Sequence, residues 1–468
     1  MEKKVSSSSI SKSVIWLLVG KFLLQGMAFL TMPIFTRILS PADYGFASLY
    51  LSWLSIFSLL EGLQVAGSIG NARLEFGEEK LPQYLSSIMS VAFLSFVVIL
   101  FFVLIFRGFL SQIIELPELL LIIVVIHSFF LFVINFEITR FDQLKKVEKS
   151  TLLSFSQTAI TTFLSLFFVI NFSSNKAIAK IYGQAIPTIL MGIIILFLIY
   201  KRGRKFWDTA YIKFCLSFSL PLIFHGVGHL IFNQSDRIVL KNMHGDEVLG
   251  VYSVAFSLCS VLTIIFNALN VAWVPFYFDY KKVENSKGII SHSKRYVKFF
   301  TLLSIGFLLL STDVYKLMAP PEYYSGIKII PLFVLSNYFS FMYLFPVNFE
   351  FFKKKTKIIP FATFIAAAIN IIINLILIPK FGILGAAIGT VLAHILLYIF
   401  HEIVARQMGK NEYEYRKSGI FIVPIIKMII ICMIFLFFSD IVFWFRWLIA
   451  IIIAIQMIKD IYINKSIF

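Results

Sequence analysis

Stretches of about twenty apolar residues recur along nearly the whole of this 468-residue chain. A helix needs that length to cross the ~30 Å hydrocarbon core of a bilayer. Inside lipid the backbone must satisfy its own hydrogen bonds, so a chain built from such stretches folds as membrane-crossing helices. Fourteen spans can be drawn: 14–35, 44–66, 85–106, 113–135, 151–172, 177–200, 214–236, 248–272, 297–318, 327–349, 358–379, 383–404, 420–438 and 441–463. They predict an all-α integral membrane protein with fourteen transmembrane helices. Only 14% of residues are charged, against about 25% in average soluble proteins, which excludes an ordinary water-soluble globule.

The basic residues fix an orientation. Of the 42 lysines and arginines, thirty fall in or within a few residues of every second gap, termini included, and ten, from Arg37 to Arg446, in or within a few residues of the others. Cytoplasmic loops are the basic ones, so both termini are expected on the cytoplasmic side. The net charge of +17 would suit nucleic acid. The basic residues sit in short loops between apolar runs, however, where anionic inner-leaflet lipid attracts them, and no nucleic-acid partner is expected. The basic start, MEKKVSSSSISKS, runs into about twenty apolar residues without a small-residue cleavage site, so the first span is expected to stay as a helix rather than leave as a signal. Cys215, Cys259 and Cys432 are isolated and give neither a disulfide framework nor a metal site.

The gaps are short. The longest is expected near 279–296 on the cytoplasmic side, with another near 313–326 outside, and neither holds a folded domain. A weak internal repeat runs through the chain. Gly26 and Arg37-Ile38 meet Gly226 and Arg237-Ile238 at an offset of 200, and Ile181-Tyr182-Gly183 falls opposite Ala387-Ile388-Gly389 at 206. This predicts a six-helix lobe over 1–205, a second over 206–412, and two additional helices over 413–468, the parallel-repeat plan of some secondary transporters.

Polar residues inside spans are functional candidates by default. Lys21 lies about eight residues into the first span, roughly 12 Å deep, with Gln25 one turn on. In the seventh span His225 corresponds to Gln25 at the same offset of 200, and His229 follows it one turn on. Two such pairs suit halves that face a common hydrated cavity; interhelical hydrogen bonding is the plainer reading. Arg37 and Arg237 end the same helices on the outer side, where either the helix dipole or an anion-binding rim explains them, and Asp236 can pair with its neighbour Arg237. His127 and His394 are lone mid-span histidines, and with Asp236 they are the candidates for ion coupling. Glu61, Glu137, Glu350, Glu402 and Lys427 lie near the basic ends of spans and are expected to snorkel to the interface. Asn370 and Asn374 are expected to join helices. No phosphate-binding glycine loop, nucleophile elbow, paired-carboxylate site or metal site is found, and no cofactor is expected.

Four stretches carry a resemblance: PIFTRILSPADYGFASLY (33–50), SDRIVLKNMHGDEVLGVYSVAFSL (235–258), EYYSGIKIIPLFVLSNYF (322–339) and NIIINLILIPKFGILGAAIGTVLAHILLYIF (370–400). In this order they resemble Wzx-type polysaccharide flippases of the multidrug/oligosaccharidyl-lipid/polysaccharide exporter superfamily, over effectively the whole chain. The resemblance implies a bacterial cytoplasmic-membrane flippase that moves polyprenyl-pyrophosphate-linked oligosaccharide repeat units, of O-antigen or capsule, from the inner to the outer leaflet. Membrane lipid, a polysaccharide polymerase and chain-length proteins would be its partners. Lys21 and Arg237 are the expected pyrophosphate contacts. Three other readings compete: a lipid II flippase of the same plan, a cation-coupled multidrug antiporter, and a polysaccharide polymerase or ligase. The scarcity of deep carboxylates argues against the antiporter, and the lack of a large external loop against the enzyme.

Overall fold

Ser40 shows how this chain starts a helix. Its hydroxyl accepts from the Asp43 backbone N–H, the Asp43 carboxylate accepts from the Ser40 backbone N–H, and Pro41 fills the first helical position. Asn175 and Asn285 cap later helices in the same way, accepting from the N–H groups of Ile178 and Gly288. Between such signals long apolar runs wind into helix, and among the described residues every regular element is helical.

The computed structural model describes residues 26–27, 29–172, 175–409, 412–437 and 443–464. The chain divides into two compact units, Met1–Leu230 and Ile231–Phe468. The first contains α1 (Phe29–Ile38), α2 (Pro41–Gly62), α3 (Ile69–Ile114), α4 (Glu118–Gln143), α5 (Val147–Asn171) and α6 (Lys176–Gly203), and the dividing point falls within α7 (Thr209–Lys282). The second holds the rest of α7, then α8 (Ser286–Met318), α9 (Ile330–Phe352), α10 (Ile358–Phe381), α11 (Ile383–Met408), α12 (Ile422–Phe437) and α13 (Phe443–Asn464). Nine helical stretches among the described residues are long and apolar enough to cross a membrane. The chain is a multi-pass, all-α membrane protein.

In the first unit α4 and α6 are central, packing on each other and on α2, α3 and α5. In the second, α9 lies against α8, α11 and α12, and α11 against α9 and α10. Two helical hairpins depend on glycine. A methyl group at Gly183 of α6 would overlap the Ser165 backbone of α5, and one at Gly389 of α11 would overlap the Asn374 side chain of α10. These are the two glycines that the internal repeat sets opposite each other. Each lets two helices approach more closely than a Cβ allows, which is how membrane helices pack without a hydrophobic driving force. Two other glycines bend long helices: Gly77 within α3 (φ 75°, ψ 170°) and Gly245 within α7 (φ 83°, ψ −177°), a backbone region open essentially to glycine alone.

The loops are shorter than their composition suggests. The stretch 279–296, expected as the longest loop, is almost all helix, with only residues 283–285 between α7 and α8. Hydropathy marks where a helix leaves hydrocarbon and not where it ends, and a basic amphipathic turn can continue in water. On the 313–326 side α8 runs on to Met318 and a 3₁₀ stretch covers Pro321–Ile329. The last helix, α13, is pinned to α8 by charge at two points: Arg446 Nη2 meets Asp313 Oδ1 at 3.0 Å, and Lys298 Nζ meets Asp460 Oδ2 at 2.6 Å.

Candidate functional site

In the first unit the polar groups gather along α2 and α4. Leu63 and Gln64, which follow α2, both take left-handed backbone (φ 45° and 53°) before the 3₁₀ turn Val65–Ser68. Two consecutive non-glycine residues in that region are unusual and mark a built feature. They place Gln64 on a cavity of about 390 Å³, lined also by Ser55, Ser58, Asn135 and Thr139 and by the apolar Leu59, Leu131, Phe132, Phe136 and Leu230. Deeper on α4, His127 is buried with Nδ1 3.1 Å from the Tyr50 hydroxyl. Its neighbour Ser128 donates to Glu61 Oε2 at 2.8 Å, and Glu61 Oε1 has no partner. Glu137 ends the row, taking two bonds from Arg140 (2.7 and 2.5 Å) and one from Arg202 of α6 at 2.9 Å.

One cation of this unit is buried although the charge pattern groups it with the basic residues of an outer gap. Lys180 is the fourth residue of the span drawn over 177–200. It lies inside α6, only 6% exposed, with its ammonium 4.4 Å from the Tyr44 ring centroid and 4.7 Å from that of Phe35. A cation over aromatic faces recovers part of its lost hydration.

In the second unit Asp236 and His394 each bond Thr390. Asp236 of α7 is buried and accepts from the hydroxyls of Tyr252 and of Thr390 on α11, the latter at 3.0 Å. His394, one turn beyond Thr390, has Nδ1 2.8 Å from the Thr390 carbonyl oxygen and 3.0 Å from the Ser336 hydroxyl of α9. Asp236 and Arg237, which could pair by sequence, make no direct ion pair. The Asp236 carboxylate turns into the core, while Arg237 donates to Gln234 at 2.9 Å and lies over the Phe256 ring at 4.8 Å. Adjacent residues on a helix point about 100° apart, which separates them. Asn370 joins helices as expected, its Oδ1 accepting from Ser235 of α7 at 2.8 Å, whereas Asn374 Nδ2 donates to that same oxygen within α10, at 3.1 Å.

The remaining sequence candidates are dispersed. Arg37 is exposed and donates to the Pro33 carbonyl one turn back, at 2.8 Å. His229 is exposed on α7. Lys21, Gln25 and the His225 side chain lie outside the described residues. No group of three His, Cys, Asp or Glu side chains able to hold a metal occurs among the described residues.

The acids near the basic ends of the helices depart from expectation. Glu61, Glu137, Glu350 and Glu402 do not snorkel; all four are buried. Glu350 of α9 and His401 of α11 are each 0% exposed, 2.7 Å apart. Glu402 accepts from Arg406 at 2.7 Å and from the Tyr413 hydroxyl at 2.6 Å. Packing helices supply partners that single-span hydropathy cannot see. A sequence signal was present: Asn135-Phe136-Glu137 on α4 recurs as Asn348-Phe349-Glu350 on α9. Both phenylalanines and both glutamates are buried. The repeated glutamate meets arginines in one unit and a histidine in the other.

Residues 10–281 match the family model described as Polysaccharide biosynthesis protein. The chain is 24% identical over 394 residues to Lsg locus protein 1 of Haemophilus influenzae, covering 80% of this chain and 94% of that one. Among solved structures it resembles the lipid II flippase MurJ in an inward closed conformation, with a TM-score of 0.67, 16% identity and 98% of both chains covered. It also resembles an inward-facing multidrug resistance MATE family transporter of the MOP superfamily, with a TM-score of 0.59, 14% identity, and 85% of this chain and 99% of that one covered.

Proposed function

Because the chain belongs to the polysaccharide biosynthesis protein family, we propose that it is a flippase, carrying polyprenyl-pyrophosphate-linked oligosaccharide repeat units from the inner to the outer leaflet of the bacterial cytoplasmic membrane by alternating access. The observation that carries this reading is a fold shared with a lipid II flippase over 98% of the chain, in a family tied to polysaccharide assembly. The physical task fits. A pyrophosphate and a sugar head must cross a low-dielectric core, and cationic, hydrated surfaces lower that barrier, while the prenyl tail stays in lipid. In this reading fourteen helices form two six-helix lobes plus two helices, with both termini cytoplasmic. Lys21, Gln25, Arg37, His225, His229 and Arg237 serve the head group, and His127, Asp236 and His394 serve ion coupling. A polymerase and chain-length proteins receive the product.

The test is inactivation of the gene in its host, followed by mass spectrometry of extracted lipids. A polyprenyl-pyrophosphate oligosaccharide accumulates while surface polysaccharide is lost, and the intact gene reverses both. Normal surface glycan with no accumulated lipid removes the reading. The likeness to a lipid II flippase supports one second reading, in which the cargo is lipid II. The same spectra separate the two, since a peptide-bearing lipid would then accumulate.

A further inference from the structure

We infer that the cavity of the first unit is a carbohydrate subsite that holds the sugar portion of the cargo, an inference that rests on the flippase reading. The lining decides the ligand class. Its polar side chains are hydroxyls and amides, namely Ser55, Ser58, Gln64, Asn135 and Thr139, and among the described residues no charged side chain lines it. A pyrophosphate would want lysine or arginine there, and a cationic drug a carboxylate. A prenyl tail would want an uninterrupted apolar wall. Sugars offer hydroxyls that both donate and accept, next to apolar C–H faces. Primary amides also do both, and the phenylalanine and leucine walls suit the C–H faces. The volume of about 390 Å³ lies within the range of about 300–1,000 Å³ typical of ligand sites.

Three observations show a prepared site. The side chains of Ser58, Gln64 and Asn135 make no hydrogen bond to any described residue, so their donors and acceptors are available to a ligand. The Leu63–Gln64 pair holds left-handed backbone that only surrounding structure can maintain. Gly226 of α7 leaves the space that the Gln64 amide occupies, since a methyl group there would come within 2.6 Å of Gln64 Nε2. Asn135 belongs to the repeated Asn-Phe-Glu motif. Its counterpart Asn348 donates to Asn270 at 2.9 Å, whereas Asn135 is exposed and uncommitted, so only the first unit's copy is free for cargo.

The experiment uses the full-length protein in nanodiscs with two probes: the lipid-linked oligosaccharide isolated from the inactivated host, and undecaprenyl pyrophosphate without sugar. The double variant Gln64→Ala with Asn135→Ala removes two amides that have no partner among the described residues, so its melting temperature should match the parent. Losing two neutral hydrogen bonds should weaken binding of the glycosylated lipid about tenfold and leave undecaprenyl pyrophosphate binding unchanged. Equal affinity of parent and variant for the glycosylated lipid overturns the subsite, as does equal weakening of both probes. If the inactivated host accumulates no such lipid, or the parent binds neither probe, the flippase reading fails and the subsite with it.

Discussion

The Glu350–His401 pair makes a prediction whose size can be worked from its surroundings. Both side chains are 0% exposed and joined at 2.7 Å, and the far atoms, Glu350 Oε2 and His401 Nε2, have no partner. His401→Phe keeps a ring of similar size against Tyr343 but strips Glu350 of its remaining bond. An unsatisfied buried polar group costs about 1–3 kcal/mol, and breaking a charged buried pair costs about 3–5 kcal/mol. His401→Phe should therefore lower stability by at least about 1 kcal/mol. Adding Glu350→Met removes the stranded carboxyl and should recover most of the loss, because replacing both partners by apolar groups is close to neutral. The assay is equilibrium unfolding in mixed detergent–lipid micelles on the parent, both single variants and the double, read as a double-mutant cycle. A single variant within about 0.5 kcal/mol of the parent, or a double variant that costs the sum of the singles, would refute the reasoning.

Gly183→Leu should force α5 away from α6, since its side chain meets the Ser165 backbone; overpacking of this kind costs about 1–3 kcal/mol, visible as a lower melting temperature and less folded protein on size exclusion. Gly245→Ala meets open space and should still destabilise by about 1–3 kcal/mol, because the cost is in the backbone; an unchanged melting temperature would show that α7 is not held at that bend. Asp208 accepts from Lys205 and from the N–H groups of Tyr211 and Ala210 at the start of α7, which hold its carboxyl below the usual value. A depressed folded pKa adds stability above the unfolded value of about 3.9 that disappears as pH falls through the folded one. The melting temperatures of parent and Asp208→Asn should therefore differ at neutral pH and converge in acid; a difference that does not shrink as pH falls below the unfolded value would contradict this sign.

The helices were legible in the sequence because a bilayer imposes length and apolarity on each one separately. Gly183 and Gly389 stand opposite each other in the repeat, but nothing in the sequence marks them as the points where two hairpins close. Partners between helices were not legible either. Nothing local in Glu350 announces His401, 51 residues away, and Asp236 chose Tyr252 and Thr390 over its own neighbour because a helix turns adjacent side chains apart. The unit 1 cavity was hidden for another reason. Ser58, Gln64 and Asn135 are ordinary polar residues until a left-handed turn and a glycine on α7 bring their space together.

The uneven burial of the helices bears on how freely the chain can vary. In the most apolar window of α5 only 11% of residues are buried, whereas in the stretch ending with α9 the share is 78%. Lipid accepts any apolar side chain, while a packed neighbour accepts few shapes. Sequences drifting from this one would exchange leucine, isoleucine and phenylalanine along α5 almost without penalty and keep α9 nearly fixed. Homologues compared by identity alone would then look most distant where lipid does the solvating, and most alike along one buried helix.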